Sequence, residues 1–245
     1  MERLVRIFAF FPLVGLLAFT PAATTLVATA QAGSFTINQH GKAVGTASFN
    51  FKATPEGYDS TSLVRVAMQG LDYSLSKTEM LSSANALQHV QLSAIVNGSA
   101  VSVTGAPDSA QFLINISASG KSSTTRLAEH TGAVFLADFD PGALETLLAM
   151  AVTQNNRDLW AIIPKQAGSI EPVQLATYAD QEGTLDGKPI PVHHLIATIA
   201  GGTTDLFSGP ENQLLQAELP QLGFALVRKG FVLKPPAKPM APPGE

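Results

Sequence analysis

The stretch Val90-Gln91-Leu92-Ser93-Ala94-Ile95-Val96-Asn97-Gly98-Ser99-Ala100-Val101-Ser102-Val103 decides the fold class. Val90, Leu92, Ala94 and Val96 fall on one parity, and successive side chains of a strand point to opposite faces. Asn97-Gly98 then supplies the strongest short hairpin signal, because both residues tolerate the positive φ of a tight primed turn. Val101 and Val103 begin the return strand. Read outward, the same grammar continues. Phe35 and Ile37 share a parity, and after the His40-Gly41-Lys42 turn so do Phe49 and Phe51. Val64, Val66 and Met68 alternate with Leu63, Arg65 and Ala67. Phe112, Ile114 and Ile116 alternate with Leu113, Asn115 and Ser117 as far as Gly120. Closely spaced strands with one apolar face predict an antiparallel meander from Gly33 to about His130, not βαβ units.

One segment leaves this pattern. Asp140-Pro141-Gly142-Ala143-Leu144 reads as a helix start, with Asp140 as N-cap and Pro141 in the first turn. Leu144, Leu147, Leu148 and Ala151 recur at helical spacing, and Met150 and Val152 make the opposite side apolar too. Only Glu145 and Thr146 clearly call for water. A helix apolar nearly all round is a buried one, so the expectation is a curved sheet wrapped around a helix near 140–153. Strands resume at Leu159–Ile163 and continue at about Val173–Tyr178, Ile190–Ile199, Thr204–Phe207, Leu214–Leu219 and Phe224–Leu233. Asp186-Gly187, Gly201-Gly202 and Gly209-Pro210 punctuate them. From Lys234 to Glu245 the chain carries five prolines, a polyproline or disordered tail.

At the other end, Arg3 and Arg6 precede an apolar run from Ile7 to Phe19, followed by small residues. That is the layout of a secretory signal peptide with A-x-A cleavage sites at Ala28-Thr29-Ala30 and Ala30-Gln31-Ala32, the second preferred. An uncleaved membrane anchor is the minor alternative, since a spanning helix needs about 20 apolar residues and Pro12 interrupts this run. The expected organisation is a signal peptide over 1–32, one β-rich domain over 33–233 and the tail over 234–245. The expected location is periplasmic or secreted.

The chain has no cysteine, which excludes disulfides, thiolate metal sites and a cysteine nucleophile. Charged residues make up 14% of the chain, about half the usual share, and Ser, Thr, Asn and Gln take their place. Without Glu2, Arg3 and Arg6 the balance is 13 basic to 18 acidic residues, so nucleic acid is not an expected partner.

Catalytic patterns are weak. No G-x-S-x-G elbow and no H-E-x-x-H is present. The five histidines are His40, His89, His130, His193 and His194, and the last two point to opposite faces of a strand and cannot chelate one ion. Asp138-Phe139-Asp140 resembles a carboxylate pair, but Asp140 is better read as the helix cap and Asp138 as the end of the preceding strand. No catalytic residue, metal or cofactor is assigned. The residues singled out for an apolar or amphipathic ligand are Leu147 and Met150 on the helix, Trp160 after it, His194, Phe224 and Arg228.

Leu185-Asp186-Gly187-Lys188-Pro189-Ile190-Pro191-Val192 and Gly223-Phe224-Ala225-Leu226-Val227-Arg228-Lys229-Gly230-Phe231 resemble motifs of a family of exported bacterial β-rich proteins of unknown function. The resemblance covers the last third of the chain. The expected plan, a curved antiparallel half-barrel or open barrel around one helix, is also similar in architecture to the periplasmic lipoprotein carriers, which hold acyl chains in an apolar half-barrel. The all-round apolar helix, the one-faced strands and the lack of catalytic patterns make the expected activity non-catalytic: binding of lipid or another apolar or amphipathic small molecule in the concave face. The alternatives are an envelope structural or interaction protein with a self-packed core, an outer-membrane barrel, or an unrecognised hydrolase.

Overall fold

A computed structural model describes residues 32–153, 158–165 and 167–235. All but Ala32 of the expected signal peptide (1–32), and the expected tail beyond Pro235, lie outside the described residues. A continuous antiparallel meander opens the fold: β1 (Ala32–Gln39), β2 (Lys42–Thr54), β3 (Gly57–Met68), β4 (Leu71–Ser82), β5 (Leu87–Val96), β6 (Ser99–Asp108), β7 (Gln111–Ala118) and β8 (Lys121–Ala128). The turns that the sequence announces at His40-Gly41, Asn97-Gly98 and Gly120 are among its connections. Asn97 and Gly98 have φ of 47° and 79°, and Asp186 and Gly187, in the second half, have 50° and 77°.

A short β9 (Ala133–Phe135) leads to α1 (Pro141–Thr153), and β10 (Trp160–Ile163) follows it. Then come β11 (Ser169–Thr177), β12 (Gln181–Leu185), β13 (Lys188–Ile199), β14 (Gly202–Ser208), β15 (Leu214–Leu219), β16 (Phe224–Arg228) and β17 (Phe231–Leu233). β16 pairs with β1, Phe35 opposite Arg228, which joins both halves into one curved sheet that does not close. The mainly β class with one helix in the concavity is therefore the observed architecture.

Three expectations need correction. β9 pairs with β10 in parallel, because the helix between them is a crossover connection. The single strand foreseen at Phe224–Leu233 is two, split at Lys229-Gly230, where Gly230 has φ 82° and a side chain would run into Asp186. Asp138 does not end a strand; it lies beyond β9 and pairs with Lys165 at 2.8 Å on the surface. Lys234, the first residue of the expected tail, still donates its N–H to Glu182 O at 2.9 Å. Pro235 has no N–H with which to continue that ladder.

Phe35, Ile37, Phe49, Phe51, Val64, Leu75, Leu92, Ile114 and the helix residues Leu147 and Met150 belong to one continuous core. A second, smaller core of Val192, Phe207, Leu215 and Phe231 lies on the outer side of the second half. The helix packs more tightly than its composition suggests. Glu145 and Thr146, expected to face water, are 1% and 3% exposed, whereas Val152 is 44% exposed. Thr146 donates to Gly142 O at 3.0 Å, so its hydroxyl needs no water. The outer face of β4–β8 carries rows of uncharged polar residues in register: Ser76, Ser93, Ser102, Ser117 and Ser122 in one, Thr78, Gln91, Thr104, Asn115 and Thr124 in the next.

Candidate functional site

The residues singled out from sequence occupy three places. Leu147 and Met150 are fully inside the core. Trp160 is half-buried and stacks on His130, ring centroids 3.8 Å apart. Phe224 meets Phe139 edge-on at 4.9 Å. Arg228 lies over the Phe35 ring, donates Nε to Leu214 O at 2.7 Å and sits 3.8 Å from Glu145 on the helix. His194 is on the opposite side of the sheet, stacked on Phe207 and 2.8 Å from Asp205 through Nε2. The structure thus joins Arg228 to the helix and leaves His194 and Trp160 apart from it. His193 bonds Asp180 at 3.0 Å, and Ser208 stands opposite it in register, but no hydrogen bond links that hydroxyl to the ring.

Where the chain approaches the helix, a recess of about 280 Å³ opens between the Leu136–Asp140 segment and the β13–β16 wall. Phe139, Leu144, Ile199, Leu222 and Leu226 supply its apolar lining, and the Asp138–Lys165 pair stands at its edge. An apolar wall with a few polar groups at the mouth suits a small amphipathic molecule.

Deeper in, a charged group crosses the core. Lys77 of β4 is wholly buried, pairs with Glu79 at 2.8 Å and contacts Asp140 directly. Its Nζ also points at Phe135 O, 3.4 Å away. Asp140 Oδ1 accepts the N–H groups of Gly142 at 3.0 Å and Ala143 at 3.3 Å, so it caps the helix as the sequence indicates. Gly142 permits this approach, because a methyl there would lie 2.5 Å from Ser62 Oγ. Ser62 stands opposite Lys77, and Ser60 opposite Glu79. Both hydroxyls are buried without a partner among the described residues. Burial holds the Glu79 carboxyl above its ordinary range despite the neighbouring ammonium. For Lys77, burial acts to lower the pKa, but Asp140 and Glu79 together raise it above the usual value.

At the far side of the helix, Glu145 accepts the Leu214 N–H at 2.8 Å. Burial pushes its carboxyl up to about 7, while the Leu214 N–H and Arg228 act against the rise. Asp140 and Glu145 therefore tie one helix to both halves of the sheet. Sequence reading did not single out Lys77 and Glu79. The signal was present: they take the same parity as Tyr73, Leu75 and Leu81, the inward positions of β4.

Comparison with protein-family models, curated proteins and solved structures gave no match to this chain.

Proposed function

We propose that the chain is an exported envelope protein of structural or interaction type, whose concave face serves its own stability. The observation that carries this reading is the helix itself. Leu144, Leu147, Leu148, Met150 and Ala151 are all buried against the sheet where a half-barrel carrier would hold its cargo. The export part rests on the N-terminal sequence alone. The outer face of β4–β8, with its rows of hydroxyl and amide side chains, is well suited to remain in water. Native mass spectrometry of protein purified from an envelope fraction tests the reading. A clean mass with no bound organic molecule supports it, and a stoichiometric lipid overturns it.

The second reading is a binding protein for a small apolar or amphipathic molecule, and the recess beside Phe139 and Leu222 favours it. Its mark is a bound mass that disappears when the recess is filled by Leu226→Trp.

A further inference from the structure

Lys77, Glu79 and Asp140 meet in the core, where charge is costly, and of the three only Asp140 borders the recess. The amine, one carboxylate to react with and a second carboxylate beside both are the parts needed to make an amide. We propose that Lys77 and Asp140 become joined by an intramolecular isopeptide bond, with Glu79 relaying the proton.

The reaction balances without any other reagent. Lys77 first passes a proton to the carboxylate pair, which leaves a neutral amine facing a neutral acid. Asp140 and Glu79 hold that proton on Lys77 in the resting pair, and the exclusion of water around a side chain that is 0% exposed lowers the cost of moving it. The Nζ lone pair then attacks Cγ of Asp140, and negative charge builds on Oδ1. That oxygen already accepts two backbone N–H groups at the start of α1, at 3.0 and 3.3 Å, the arrangement that stabilises a developing oxyanion. Glu79, 2.8 Å from Nζ, takes a proton from the nitrogen and returns one to Oδ2. The Cγ–Oδ2 bond breaks and water leaves. An ammonium and a carboxylate become an amide and one water, with no change in net charge and no oxidation. Oδ1 remains as the amide oxygen, so the helix keeps its cap.

Two further features fit. Ser60 and Ser62, the unpartnered buried hydroxyls, stand opposite Glu79 and Lys77 and offer the departing water hydrogen bonds. The Phe135 ring, 6.0 Å from Nζ, adds to the apolar wall around the reacting atoms. The bond would tie the middle of the meander to the first turn of the helix, in a chain with no cysteine for a disulfide.

Intact-mass measurement of the denatured full chain, referred to its sequenced N-terminus, tests the proposal. The expected result is a mass lower than the sequence by one water, and a branched proteolytic peptide containing Lys77 and Asp140. Glu79→Gln, nearly isosteric and checked for folding by circular dichroism, should have the full mass. Lys77→Arg, checked in the same way, should also have it. Folded wild-type protein of full mass with Lys77 in a linear peptide overturns the proposal. So does a water loss that persists in Lys77→Arg or maps to another residue. A Glu79→Gln protein that still forms the bond overturns the relay.

Discussion

The meander and the strands after the helix bury their side chains in different ways. In β3 and β4 burial alternates almost perfectly along each strand, inward residues covered and outward residues wet. In β14 and β15 whole runs are covered, Leu206-Phe207-Ser208 and Leu214-Leu215-Gln216-Ala217. The meander has one covered face, because only the helix side packs on it. The later strands have two, the helix on one side and the β12–β13–β17 flap with its small core on the other. A sheet in water reads as alternation, and a sheet between layers reads as an apolar run.

The largest effect should separate the two cores. Phe49→Ala removes a ring that packs between Phe35 and Phe51 and should cost about 3–5 kcal/mol of global stability by urea unfolding. Phe231→Ala, in the outer core, should instead raise hydrogen exchange in β12 and β17 before the meander responds. Equal loss of protection everywhere would mean that the two cores are one cooperative unit.

A smaller effect depends on pH. Glu145 sits at about 7 when folded, above its ordinary 4.5, so the folded state holds the proton more tightly than the unfolded chain does. That stabilisation is complete below about 4.5 and fades as pH rises through about 7. Glu145→Gln should remove most of the slope between pH 5 and 8 and be more stable than wild type at pH 8, by about 1–3 kcal/mol. An unchanged slope in urea melts across that range would show that the carboxyl titrates as in the unfolded chain.

The smallest effect belongs to the wet face. Ser93→Ala, in the middle of the serine row, should change stability by less than about 0.5 kcal/mol. A larger loss in the same melts would mean that the row contributes to holding the strands together.

How much was legible follows the same division. The meander could be read strand by strand because one wet face imposes a period of two, and Asn97-Gly98 fixes a turn. The helix could be read because Asp140 and Pro141 mark its start and Leu144, Leu147 and Leu148 its covered side. The pairing of β9 with β10 could not, since three-residue Ala133–Phe135 is too short to show a period and its partner lies across the helix. Nor could the split at Lys229-Gly230, where apolar residues on both sides resemble one strand. Lys77 and Glu79 look like surface charges because their counterpart, Asp140, lies far along the chain. Glu145 looks like a residue for water for the same reason: its partners, Leu214 and Arg228, meet it only when the sheet has curved.

The seam between β1 and β16 has a consequence in time. The hairpins of the meander join neighbours in sequence and close quickly, whereas Arg228 donates to Ala32 O across 196 residues. One edge of β1 therefore waits, bare, until nearly the whole chain is present. Closing so long a loop is slow, and the slow phase of refolding should be the arrival of Phe224–Arg228 at that edge.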